Sequence, residues 1–118
     1  MSCYFTDSDW SQAVPPCSSK DMSSELVSLL HSVRSLCGFP LVINSAYRSV
    51  DYEKSKGRSG TSSHTKGLAV DISCTDESKR LVLLNALLSV GFTRIGIAKT
   101  YIHVDIDSEK KSCIWLYN

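Results

Sequence analysis

The stretch SSHTKGLAVDIS, residues 62–73, decides how this chain is read. It sets the carboxylate of Asp71 among Leu68, Ala69, Val70 and Ile72, just after a histidine and a glycine. Burying an unpaired charge costs several kcal/mol, so Asp71 calls for a partner or a cation. Alternation makes GLAVDIS, Gly67 to Ser73, a strand with Leu68, Val70 and Ile72 facing a core. Ala69 and Asp71 then share the opposite face.

A second stretch, YIHVDID from Tyr101 to Asp107, repeats the pattern. Ile102, Val104 and Ile106 fall on one face, and Tyr101, His103, Asp105 and Asp107 on the other. If the two strands are near neighbours, Asp71 and His103 converge, with small Ala69 leaving room beside them. His64 lies seven residues before Asp71, and Gly67 between them lets the chain turn a loop histidine back over the strand. Two imidazoles and a carboxylate suit zinc, and three protein ligands leave a fourth position for water. The competing reading is an internal hydrogen-bond network, with Asp71 capping a turn or paired to Arg48.

Around these strands the chain reads as α+β. From Ser23 to Cys37, Leu26, Leu29, Leu30, Val33, Leu36 and Cys37 recur at helical spacing until Gly38 and Pro40 end the run. A second helix, ESKRLVLLNALLSVGF, presents Leu81, Leu84, Leu87 and Leu88 and stops at Gly91. LVINSAY, TRIGIA and CIWLY supply further strands, giving a small antiparallel sheet with flanking helices. The first twenty residues read as loop, with Pro15 and Pro16 against regular structure. So does RSVDYEKSKGRSGTSS, in which Lys54, Lys56 and Arg58 read first as a solvated charged face, with carboxylates of a ligand as the alternative partners. His31 falls off the apolar stripe and reads as solvated.

The 118 residues suit one domain, 1–118, expected to act as a monomer. A net charge of +1 argues against nucleic acid as partner, and no apolar run is long enough for a membrane. Five scattered cysteines without a C-x-x-C pair argue against a thiolate metal site and favour reduced thiols, with one disulfide possible. MSCYFTDSDW lacks the basic and apolar regions of a secretory signal. The expectation is synthesis in the cytoplasm and delivery by another factor.

SAYRS at Ser45–Ser49, S-x-H-x-x-G-x-A-x-D at Ser62–Asp71 and H-x-D at His103–Asp105 together resemble the zinc D-alanyl-D-alanine carboxypeptidase family. That family shares a hedgehog-like fold with vancomycin-resistance dipeptidases and several phage endolysins, and YFTDSDW and GFTRIGIAKTYIHVDID resemble its short single-domain members. The resemblance implies a hedgehog/DD-peptidase-like fold and a zinc peptidase of peptidoglycan stem peptides or cross-links, phage-encoded and acting on a host cell wall. It implies His64, Asp71 and His103 as Zn2+ ligands. Arg48 becomes the residue that holds the peptide and its developing oxyanion, with Tyr101 and Ser62 beside the substrate. Many relatives place a Glu or Asp three residues before the last histidine ligand as general base; Thr100 stands there in this chain. Asp105 is the nearest substitute, either as that base or as a partner fixing the tautomer of a liganding histidine. The rival to an enzyme is a non-catalytic, zinc-stabilised domain of the same fold that recognises cell-wall peptide.

Overall fold

A computed structural model describes residues 4–117. Its helices are α1 (Asp7–Ser11), α2 (Ser24–Cys37), α3 (Val50–Ser55) and α4 (Glu77–Val90). The strands are β1 (Val42–Ser45), β2 (Ala69–Ser73), β3 (Arg94–Ile97), β4 (Tyr101–Asp105) and β5 (Cys113–Leu116). They form one sheet in the order β1-β2-β4-β3-β5. No helix among the described residues is long and apolar enough to cross a membrane.

Val70, Ile72, Ile95, Ile102 and Val104 project from one sheet face into a core completed by Leu26, Leu30 and Val33 of α2 and Leu83, Ala86 and Leu87 of α4. Each such side chain, fully buried, contributes roughly 1.5–3 kcal/mol in transfer terms. Both strand alternations therefore hold. The stripe of α4 does not fall where spacing placed it: Leu81 is 62% exposed and Leu88 46%, while Leu83 is fully buried. With leucine or valine at all six of positions 81, 82, 83, 84, 87 and 88, more than one face of this helix is apolar enough, and docking chooses. Leu36 of α2 is likewise exposed.

Four further expectations need correction. The sheet is not wholly antiparallel, because β5 runs parallel to β3. The chain leaves β4, steps past β3 through residues 106–112 and pairs on its far side, so β5 opposes β4 and follows β3. The first twenty residues are not all loop. Thr6 and Asp9 form a capping box, with Thr6 N donating to Asp9 Oδ2 at 2.7 Å, and Trp10 is buried against Phe5. Within the polar segment, α3 starts at Ser49, whose hydroxyl accepts from Tyr52 N at 3.0 Å. His31 is half-buried, its ring edge-on to Phe5 at 5.2 Å. Cys17, Cys37, Cys74 and Cys113 are free thiols, and Cys3 lies outside the described residues.

Candidate metal centre and cleft

On the sheet face away from the helices, register alone brings the polar residues together. Asp71 of β2 stands directly opposite His103 of β4, and Ala69 opposite Asp105. The β1–β2 pairing shifts register between Ile43 and Ser45, and the irregularity turns the chain so that Ala46 presents its carbonyl to His64. His64 arrives on a 3-10 turn, Ser63–Lys66, capped by Ser62, with His64 N donating to Ser62 Oγ at 3.2 Å. Gly67 ends the turn at φ +70°, and a Cβ there would overlap the Asp21 carbonyl oxygen. The chain can thus reverse tightly enough to lay His64 over β2.

One ligand atom from each of His64, Asp71 and His103 lies within 4.8 Å of the others. His64 Nε2 is 3.3 Å from Asp71 Oδ1, and His103 Nδ1 is 3.0 Å from the same oxygen. The outward edges of both rings are engaged. His64 Nδ1 lies 2.6 Å from the Ala46 carbonyl, which only accepts, so the proton sits on Nδ1. His103 Nε2 lies 2.7 Å from Asp105 Oδ2 and donates to it. Each imidazole therefore turns its other nitrogen toward Asp71, His64 through Nε2 and His103 through Nδ1. Burial alone would raise the pKa of Asp71, but His103 and His64, which donate to it when they carry a second proton, outweigh that and hold the carboxyl well below the usual range. Burial lowers that of His103, and hydrogen bonds to Asp105 and Asp71 reverse the shift and raise it.

Asp105 sits behind His103, its side chain sealed from solvent. Its Oδ1 accepts from Arg94 Nε at 2.7 Å and from Asp107 N at 3.1 Å, so both oxygens are committed. Asp107, expected on the same face, instead accepts from Ser63 Oγ at 2.8 Å and pairs with Lys66, tying the His64 turn to the end of β4. Arg48 does not pair with Asp71. Its Nε is 3.4 Å from Glu53 Oε1, and its amide donates to the His64 carbonyl at 3.2 Å.

A cleft of about 190 Å³ opens on this cluster, lined by Arg48, Arg58, Ser62, His64, Asp71, Tyr101, His103 and Tyr117. The fold thus brings together at one opening every site residue expected from sequence except Asp105. Sequence reasoning missed the far wall. Gly96 of β3, opposite His103, leaves the space that Trp115 of β5 and Tyr117 just beyond it occupy; a Cβ there would approach both rings to 2.6 Å. Trp115 packs 5.4 Å from the His103 ring, with the Arg94 guanidinium 4.9 Å over its own ring. Alternation in CIWLY puts Trp115 and Tyr117 on one face, a signal that was present. Glu53, fully buried on α3, was also missed, although Ser49 followed by Asp51 and Glu53 is a helix-start pattern.

A family model described as Peptidase M15 matches residues 5–107, and no curated protein matches the chain. The match takes in the metal-binding triad and most of the sequence, and stops short of Trp115 and Tyr117. The chain belongs to the peptidase M15 family, and its intact His/His/Asp cluster makes it a metallopeptidase of that family with the α+β fold described.

Proposed function

We propose that this M15 peptidase is a zinc enzyme that hydrolyses peptide bonds in the stem peptides or cross-links of bacterial peptidoglycan. One observation carries the reading: three donors converge while the far nitrogen of each imidazole is already held, His64 by Ala46 and His103 by Asp105. Two imidazole nitrogens and one carboxylate oxygen fit zinc and leave a position open, as catalytic sites do. In this reading His64, Asp71 and His103 hold the ion. When bound, zinc brings the pKa of its water to about 7 and polarises a carbonyl.

The chain's own residues do the rest. Asp105 acts as a positioning residue and not as the general base that the sequence offered, because both its oxygens are spent on His103, Arg94 and Asp107 and it does not line the cleft. Arg48 directs its guanidinium at the peptide and at charge developing on the scissile carbonyl oxygen. Burial, aided by Asp71, raises the pKa of Tyr101 and keeps its phenol a donor beside the same carbonyl. Ser62 shapes the His64 turn and borders the peptide path. Tyr117 walls the opposite side, and Trp115 packs on the His103 ring.

The test is mass spectrometry of purified peptidoglycan fragments incubated with zinc-loaded protein, beside elemental analysis of the metal retained on purification. A defined mass loss or a new amine, absent with His64→Ala, is expected. Zinc-replete protein that leaves fragments of several cell-wall chemistries unchanged would overturn the proposal.

A further inference from the structure

A glutamate with 0% exposure on a helix of six residues is costly, and Glu53 must be there for a reason. It is gripped from two sides. Arg58 Nη1 donates to its Oε2 at 2.6 Å, and Arg48 Nε approaches its Oε1 at 3.4 Å. Arg58 is fixed through its backbone as well, its amide donating to the Glu53 carbonyl at 3.0 Å. This is not the solvated loop arginine expected from sequence but a preorganised one. Both arginines line the cleft beside His64, Asp71 and His103.

One carboxylate cannot neutralise two guanidiniums. Arg58 spends Nη1 on Glu53, and its side chain is still 50% exposed, so Nε and Nη2 remain for a ligand. Arg48, at 16% exposure, is the inner of the two. A planar fork of donors at a cleft wall matches a carboxylate better than it matches a neutral amide. The cleft, at about 190 Å³, is smaller than the roughly 300–1,000 Å³ of a drug-sized pocket, so it suits one or two residues of a chain.

We infer that Arg58, held by Glu53, is a specificity-determining residue that takes a free carboxylate of the substrate peptide. The inference rests on the cleft being the peptide site proposed above. Two carboxylates of a stem peptide have this chemistry: the α-carboxylate of the terminal residue and the α-carboxylate left free on a γ-linked glutamate.

Two matched peptide pairs separate these sources on zinc-loaded protein. One is acetyl-D-Ala-D-Ala as free acid and as C-terminal amide. The other is acetyl-L-Ala-γ-D-Glu-L-Lys amide with the glutamyl α-carboxyl free or amidated. Affinity is read by isothermal titration, with kcat/KM in its place for any peptide that is cleaved. The free carboxylate of one pair should be favoured about 10- to 100-fold, and that pair identifies the source. In Arg58→Gln, which leaves Glu53 paired with Arg48, the ratio should fall to about one. A merely structural Arg58 would weaken acid and amide alike and leave the ratio standing, which would overturn the inference. So would wild-type protein that treats both members of both pairs equally. Binding needs no turnover, so absent hydrolysis counts against the proposed reaction and not against Arg58.

Discussion

The two faces of β2 and β4 are built from alternate residues of the same ten, yet they obey different rules. Val70, Ile72, Ile102 and Val104 meet the helices through contacts that any apolar group of similar volume would make. Asp71, His103 and Asp105, one residue away in each case, meet partners atom by atom, and each contact constrains the next. The core face tolerates chemistry within a shape. The cleft face tolerates almost no change of donor or acceptor.

The comparison can be broken most severely at the cleft. His64→Ala or Asp71→Ala should abolish both metal retention and peptidase activity, while circular dichroism keeps the native helix content; an active, metal-free variant would sink the assignment. On the core face, Leu83→Ala should cost about 2–5 kcal/mol of stability, read as a lower denaturation midpoint, because the residue is fully buried against α2 and the sheet. Asp105→Asn should weaken metal binding by about 10- to 100-fold in a competition titration, as loss of a histidine's outer partner does. A general base would instead leave metal affinity intact and lower kcat alone. Gly96→Ala should cost about 1–3 kcal/mol by forcing Trp115 and Tyr117 off β3, visible as a change in tryptophan fluorescence. The smallest effect belongs to Leu81→Ala, within about 0.5 kcal/mol, because that leucine faces water.

Metal retention should also depend on pH in a defined direction. Asp105 and Asp71 raise the pKa of His103, so a proton competes with the metal at a pH above that at which an ordinary histidine would take one up. Affinity should therefore fall as pH drops through that raised pKa, beginning above the ordinary histidine range of about 6.5. Zinc-indicator titrations across pH would check this.

Much of the site was legible because strand alternation is a local rule. Once Asp71 and His103 were assigned to the polar faces of two strands, only the pairing register was needed to join them, and β2 and β4 supply it directly. The role of Asp105 was not legible. The pattern H-x-D places it on the cleft side of the strand, but Arg94, eleven residues back and on the adjacent strand, turns it toward His103 and away from the opening. Glu53 and Arg58 were hidden for a related reason: a polar segment without periodicity gives no sign that one of its carboxylates is buried.

By itself the sequence determined the α+β class, the apolar faces of β2 and β4, the buried stripe of most of α2 and the three metal-binding residues. Each depends on spacing within a strand or helix, or on a short motif. Tertiary structure alone decided the parallel seat of β5, the face of α4 that is buried, the tautomer of each histidine and the pairing of Arg58 with Glu53. Those depend on which segments meet across the fold, and hydrogen-bond partners and docking faces exist only once they have met.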